Sequence, residues 1–295
     1  MRLPLSLSLL AALLGAVLSA AAQVAPAAAH NEGVATAADS TVPDPVHRGW
    51  SASLNTTGAH DSLAGWSLLE TPSAGYRLNG TISMDVDAPF YAYINAVRTD
   101  KKGNPNLTEH TAVWGDTMLA SHFELSPDAF DYTGTASFSA PTGNEHLGTG
   151  TGHLGWDVNN HFERAMGPLT PDVELGVGST SALVRTRVVK SYASYGPLVF
   201  FQAGSTASLP GDFSFDGEWY EQLPIGAQTV YSKANRKHGA VLKKASDAED
   251  NGVTFELDAP AARRIQLSAA AAHSIRLDDT TVSLSLNLLL HVPRH

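Results

Sequence analysis

Apolar and polar residues alternate along most of the chain after Trp50. Between Thr81 and Phe90, one set of alternate positions is apolar, and the other holds serine, threonine and aspartate. Val282 to Leu290 alternates in the same way. Because successive side chains of a strand point to opposite faces, each run predicts a strand with one apolar and one polar face. No comparable stretch places apolar residues at helical spacing, so the chain is predicted to be all-β.

The lengths of these runs and of their links favour a barrel that crosses a membrane. Several runs are about ten residues long, the length that a tilted strand needs to cross a bilayer. We predict an antiparallel up-and-down transmembrane β-barrel over residues 50–292, with about twelve strands. Their predicted spans are 50–55, 71–78, 81–93, 113–125, 130–140, 151–161, 170–178, 193–207, 211–222, 252–258, 264–274 and 280–291.

Short and long links are predicted to alternate along the chain, as they do in outer-membrane barrels. Asn79-Gly80 is a strong two-residue hairpin signal, because both central positions of such a turn favour positive φ. The predicted short links are 79–80, 126–128, 166–168, 209–211 and 259–262, and the predicted long links are 56–70, 95–111, 141–150, 179–191 and 223–251.

The polar face is predicted to be the inside of the barrel. It carries many carboxylates and few bases, and an unpaired carboxylate is costly in a dry core, so this face must be wet. Either lipid or a second sheet then covers the apolar face, and the strand lengths favour lipid. The predicted inward acids are Asp85, Asp87, Asp131, Asp157, Asp172, Glu174, Asp212, Asp216, Glu218 and Glu256, and the predicted inward bases are Arg77 and Arg264, with His153 and His161.

Aromatic residues near the strand ends are expected to form girdles at the two membrane interfaces. Ordinary β-propensity is the alternative explanation for aromatic residues in strands. The residues concerned are Trp50, Tyr76, Phe90, Tyr91, Trp114, Trp156, Trp219 and Tyr220.

The N-terminal region predicts export. Arg2 precedes an apolar run that ends at Leu18, and three alanines ending at Ala22 follow. This is the three-part pattern of a secretory signal peptide, and the run is shorter than the ~20 residues that a spanning helix needs. We predict a signal peptide over residues 1–22, a flexible periplasmic lead-in over 23–49, and a bacterial outer-membrane location for the barrel.

Composition and motifs argue against several activities. The net charge of −10 disfavours nucleic-acid binding. The chain has no cysteine, so its fold must be held together without disulfides. We find no phosphate loop, nucleophile elbow or zinc-protease motif. His153, Asp157 and His161 share one face of a predicted strand, but successive members lie about 13 Å apart, too far to bind one metal together. The sequence therefore predicts no catalytic residue, no metal and no cofactor.

A basic segment interrupts this acidic chain. The expected partner of the barrel wall is the outer-membrane lipid. If the basic segment forms an extracellular loop, it is expected to attract a second partner, anionic lipopolysaccharide. A solvated loop with no such partner is the alternative. The segment contains Lys233, Arg236, Lys237, His238, Lys243 and Lys244.

Several short motifs resemble a family of bacterial outer-membrane transporter-like barrels, the group named for a putative MetA pathway of phenol degradation. The resemblance covers roughly residues 50–291, and it implies a barrel that passes small hydrophobic or aromatic compounds. It supplies no catalytic residues. The motifs are Tyr76-Arg77-Leu78-Asn79 with Ile82–Val86 and Pro89-Phe90-Tyr91, Ser139–Gly143 with Leu147–Gly150, Glu174–Gly178 and Tyr220–Pro224.

Three functions stay open at this point. The first is a channel or transporter for small solutes. The second is a structural or adhesive barrel that does not conduct. It stays open because a barrel of ~12 strands lies between filled barrels of ~8 strands and open porins of ~16 strands. The third is an outer-membrane lipid hydrolase, which would need a serine–histidine pair at the lipid-facing rim.

Overall fold

The computed structural model describes residues 48–99, 105–127, 129–183, 192–232, 241–243, 249–262 and 264–291. The predicted signal peptide and almost all of the predicted lead-in lie outside these residues, so both stay predictions. The strands are β1 Gly49–Asp61, β2 Gly65–Arg77, β3 Ile82–Asp87, β4 Phe90–Thr99, β5 Pro105–Trp114, β6 Thr117–Leu125, β7 Asp131–Ala140, β8 Gly155–Glu163, β9 Leu169–Thr180, β10 Tyr192–Leu209, β11 Phe213–Pro224, β12 Gln228–Ser232, β13 Val241–Lys243, β14 Asp250–Ala262, β15 Ile265–Ser274 and β16 Asp279–His291, and a short 3-10 helix, η1, spans Glu145–Leu147.

These strands form one closed antiparallel sheet. The first strand, β1, pairs with β2 on one side and with the last strand, β16, on the other, so the sheet closes on itself. Four positions around the wall are each filled by two consecutive segments, namely β3 with β4, β5 with β6, β11 with β12, and β13 with β14. The wall therefore has twelve strand positions, as the sequence predicted.

The two ends of the barrel differ. We call the end at which β1 begins and β16 finishes the turn end, and the opposite end the loop end. Links at the turn end are short, as between β10 and β11, where three residues join Leu209 to Phe213. The longer links, including residues 141–154 between β7 and β8, lie at the loop end.

The predicted long link at 56–70 is wrong, because these residues extend β1 and β2. Thr56, Thr57 and Gly58 interrupt the apolar alternation, but their backbones continue the ladder to β2. A tight turn then closes the hairpin, in which the Asp61 carboxylate accepts the backbone N–H groups of Leu63 and Ala64 at 2.8 and 2.7 Å.

The predicted short link at 259–262 is also wrong. Ala259 to Ala262 belong to β14 and pair with the beginning of β15, and the register shifts between Pro260 and Ala262. Pro260 cannot donate a backbone hydrogen bond, and the irregularity in the ladder accommodates it.

Two interruptions of the strands lie side by side in neighbouring positions of the wall. Ala88 and Pro89 separate β3 from β4, and Gly115 and Asp116 separate β5 from β6. The Gly115 N–H donates to the Pro89 carbonyl at 2.8 Å, and a Cβ on Gly115 would touch the proline ring at 3.0 Å. The glycine therefore allows the two breaks to meet, and Asp116 belongs to one of them.

The two faces of the wall have opposite chemistry. Large apolar side chains such as Val86, Phe138 and Leu284 are 42, 51 and 49% exposed on the outside, whereas Asp157 and Asp216 are 1 and 2% exposed on the inside. Among the described residues, helical structure is too short to span a bilayer. The fold therefore turns its polar face inward, as the sequence predicted.

Aromatic side chains on the outer face lie near both ends of the wall. On β2, Trp66 and Tyr76 are ten positions apart, which is about 33 Å along a strand and about 25 Å of height at a tilt of ~40°. This matches the apolar band of outer-membrane barrels, which is ~25 Å tall. Tyr91 and Tyr220 were predicted to belong to the girdles, but both are buried, 7 and 6% exposed, and alternate with outward neighbours.

Candidate functional site: an acidic lumen

Carboxylates from neighbouring strands lie side by side on the inner wall. Asp131 of β7 is the ladder partner of Glu163 of β8, which is in turn the partner of Asp172 of β9. Gly204 of β10 pairs with both Asp172 and Glu218 of β11, so the row continues on the next strand position. Because strands are tilted in a barrel, such a row also changes height as it passes around the wall.

One close group of carboxylates spans β9 and β11, which lie on either side of β10. One carboxylate oxygen of each of Asp172, Asp216 and Glu218 lies within 4.8 Å of the other two. The Thr206 hydroxyl donates to Asp216 at 2.7 Å, and the Thr254 hydroxyl donates to Glu218 at 3.3 Å. Both hydroxyls therefore stabilise negative charge in this part of the lumen.

A second inward group joins β11, β14 and β15. The Ser274 hydroxyl donates to Asp250 at 2.6 Å, and the Tyr220 hydroxyl donates to the other oxygen of Asp250 at 3.4 Å. Near it, the Thr281 hydroxyl donates to Asp61 at 2.9 Å. The acidic lining therefore extends towards the loop end.

On the opposite part of the wall, Asp85 belongs to a chain of three polar side chains. Asp85 contacts Nε2 of His122, and Nδ1 of His122 lies 3.0 Å from the Thr135 hydroxyl. His122 and Thr135 are only 8 and 5% exposed and face the lumen. A lipid in the outer leaflet does not reach this inner face, so the chain of contacts does not support the lipid hydrolase.

Most of the acids that the sequence predicted to point inward occupy inner-face positions in strands. They are Asp85, Asp87, Asp131, Asp157, Asp172, Glu174, Asp216, Glu218 and Glu256. Asp212 differs, because it is exposed in the turn before β11 with a positive φ of 60°.

Most of the predicted inward bases lie near the ends of the barrel and not along the middle of its inner wall. Arg77 lies at the turn end and forms an ion pair with Glu124 at 3.4 Å, where its side chain is 43% exposed. Arg264 is exposed in the turn between β14 and β15. His153 is exposed in the link before β8 and stacks on Tyr195. Of the predicted bases, His161 alone is buried in the lumen wall among the described residues.

Sequence reasoning missed several inward acids. Glu163 follows Asp157, Asn159 and His161 in strict alternation, so extending that strand by two residues would have found it. Others lie in the predicted links or near the ends of the predicted strands. The missed inward acids are Asp61, Glu124, Glu163, Asp250, Asp258 and Asp279.

The link between β7 and β8 folds inward at the loop end. The Asp116 carboxylate accepts the backbone N–H groups of Gly143 and Thr151, each at 2.9 Å. The Thr149 hydroxyl donates to the Trp114 carbonyl at 2.9 Å. Both ends of residues 143–151 are therefore fastened to the break between β5 and β6.

The middle of this link reaches the far part of the wall. The η1 helix contacts β12, and Leu147 of η1 is 6% exposed. Asn144 caps η1 by accepting the N–H groups of His146 and Leu147. Residues 141–154 therefore extend from β5–β6 to β12 and narrow the lumen at the loop end.

Comparisons with known proteins support the fold. No family model and no curated protein sequence matches the chain. Among solved structures, an outer membrane channel from Pseudomonas putida F1 is similar, with 12% identity, a TM-score of 0.53, and coverage of 88% of this chain and 100% of that chain. The KdgM porin in complex with disordered oligogalacturonate and the NanC porin are each 8% identical with TM-scores of 0.47, and the match covers 81% of this chain in both cases.

At 12% identity, the similarity to the channel from Pseudomonas putida F1 establishes the fold alone. The chain has the closed, twelve-stranded antiparallel fold of outer-membrane β-barrels. Membership of the MetA-pathway group stays a prediction. The side chains of the basic segment, from Lys233 to Lys244, lie outside the described residues, so lipopolysaccharide contact also stays a prediction.

Proposed function

We propose that this protein is a bacterial outer-membrane channel for small solutes, with a preference for cations. The observation that carries the proposal is the closed barrel with an acidic inner face and an apolar outer face. We propose no catalytic role for its residues.

The outer face supports a position in the membrane. Exposed apolar side chains cover it, and Trp66 and Tyr76 bracket a height of about 25 Å, the thickness of the band that meets lipid. In water, an apolar surface of this size would lead to association. In lipid, closure between β1 and β16 also satisfies the backbone groups that would otherwise be exposed.

The inner face supports the preference for cations. Carboxylates outnumber the bases on the described inner wall, where the bases are Arg77, His110, His122 and His161. Fixed negative charge next to a low-dielectric wall attracts cations and repels anions, and rings of acidic side chains are a known basis of cation selectivity. This polar lining favours small polar or cationic solutes over the hydrophobic or aromatic compounds that the family resemblance implies.

The test is the reversal potential of the refolded protein in a planar bilayer across a salt gradient. We expect the sign of a cation-selective channel, and a larger effect at low salt, where the screening length is ~30 Å at 0.01 M. The double variant Asp216→Asn with Glu218→Gln removes two charges from the lumen and should weaken the selectivity.

The matched control is Glu70→Gln with Glu221→Gln. Both residues occupy outward positions, in β2 and β11 respectively, so this variant removes the same charge from the outside of the wall. Its reversal potential should equal that of the wild type. An anion-selective potential, or equal effects of the two double variants, would refute the charge argument.

A specific observation favours a second candidate, a structural barrel that does not conduct. The link at residues 141–154 is held inside the loop end by Asp116 and reaches β12. If the link closes the lumen, the purified protein will insert into the bilayer without conducting. Insertion without current in the same experiment would therefore favour this candidate.

A further inference from the structure

His161 lies on the inner face of β8 between two carboxylates. Its Nε2 is 3.5 Å from Oε2 of Glu163, and its Nδ1 is 3.6 Å from Oε2 of Glu174 on β9. The side-chain amide of Asn159 donates to the other oxygen of Glu174 at 3.1 Å, which fixes that carboxylate in place. His161 is 7% exposed, so water screens these charges poorly.

The positions of the two carboxylates determine which protonation state of the His161 ring fits between them. A neutral imidazole carries one N–H, so its second nitrogen would direct a lone pair at a carboxylate oxygen. The charged ring carries an N–H on each nitrogen and is attracted to both Glu163 and Glu174, at the distances of ion pairs rather than of hydrogen bonds. His122 differs, because one of its nitrogens faces the Thr135 hydroxyl, which can donate or accept.

The surroundings of His161 are otherwise acidic. The titratable groups on the same inner face of these strands are Asp131 on β7, Asp157 and Glu163 on β8, and Asp172 and Glu174 on β9, and Glu174 is the ladder partner of His161. Within the described parts of these three strands, His161 is the only basic side chain. A positive charge at this position cancels part of the negative charge in this section of the wall.

We propose that His161 is a specificity-determining residue, whose positive charge limits the cation preference of the lumen and makes that preference depend on pH. The inference rests on the proposed channel function. When the ring loses its proton at high pH, the section of wall from β7 to β9 gains a full negative charge, and the preference for cations increases.

The first experiment measures reversal potential against pH for the wild type and for His161→Gln. Glutamine keeps a hydrogen-bonding side chain but no charge, so we expect a stronger cation preference than in the wild type at pH 7. The wild type should approach the variant as the pH rises. His273→Gln is the control, because His273 occupies an outward position on β15 and contacts Thr280. It should behave like the wild type.

The second experiment measures protonation directly and does not depend on conduction. In barrels refolded in micelles with ¹³C-labelled histidine, the ring signal that is missing from His161→Gln belongs to His161. We expect the chemical shift of an imidazolium at pH 7. A neutral ring at pH 7, or identical selectivity of the wild type and His161→Gln at every pH, would overturn the inference and leave the channel standing. A wild type that inserts but conducts no current would instead overturn the channel.

Discussion

Leu286 and Ser285 are neighbours in β16 that point to opposite sides of the wall, so the same substitution can be compared at both. Leu286 is 39% exposed on the outer face, near the middle of the apolar positions of this strand, and its ladder partners are Thr56 and Leu267. Arginine near the midplane of the lipid face costs about 2–4 kcal/mol. We therefore expect Leu286→Arg to lower the free energy of unfolding by that amount.

Ser285→Arg should be much milder. Ser285 faces the lumen, where its hydroxyl lies 2.9 Å from that of Thr57, and loss of this hydrogen bond costs about 1 kcal/mol. Its ladder partner is Ser268, which donates to the Asp258 carboxylate. An arginine at 285 would therefore lie near an acidic group that offsets part of the cost.

The assay is urea unfolding of the barrel refolded in phospholipid vesicles, followed by tryptophan fluorescence. Since 1.4 kcal/mol is a factor of ten in an equilibrium constant, Leu286→Arg should shift the unfolding equilibrium by about 30- to 700-fold, and Ser285→Arg by about fivefold or less. Equal costs at the two positions would refute the inward and outward assignment of β16. A larger cost at Ser285 would indicate a lumen too tightly packed to admit a long side chain.

Three further predictions concern the lumen and its mouth. Asp116→Ala removes the acceptor for two backbone N–H groups of the inward link, so its single-channel conductance should be higher than that of the wild type. Asp116→Asn keeps a side-chain acceptor, so its conductance should change less. Equal currents in the wild type and both variants would contradict the role of Asp116. A Cβ at Gly176 would overlap the ring of Phe200, so Gly176→Ala should cost about 1–3 kcal/mol in urea unfolding, while Gly58→Ala, with open space around it, should cost much less. Asp85→Asn with Asp87→Asn should weaken cation selectivity in the reversal-potential measurement, and an unchanged potential would show that these two acids do not contribute to it.

The alternation of side chains predicted the twelve strand positions and the facing of most acids, because a period of two depends only on strand geometry. It could not predict the ends of the strands. The hairpin of β1 and β2 continues through Thr56 and Gly58 because backbone hydrogen bonds extend the ladder where side chains give no signal. For the same reason, Asp61 was assigned to a link although it points into the lumen at 5% exposure.

The alternation of side chains also could not predict contacts between segments that are distant in the sequence. Asp116 was not distinguished from other acids, because its role depends on a link that returns to it from residues 143–151. Likewise, the spacing of His153, Asp157 and His161 predicts that these residues do not bind one metal together, and it gives no sign that Nδ1 of His161 lies 3.6 Å from Glu174 of the neighbouring strand. A strand pattern specifies which side a residue faces, and the register specifies which residues it meets.

The pairing of β1 with β16 has a consequence for how the protein folds. This ladder joins the two ends of the wall, from Ala52 with His291 to Asp61 with Thr281, and so contains the contacts of greatest sequence separation. Until β16 has been synthesised, any partly formed sheet keeps two open edges that can pair with other chains. Contacts of high sequence separation also form slowly. The chain therefore has to be kept from aggregating until its last strand is available, and closure of this single seam completes folding.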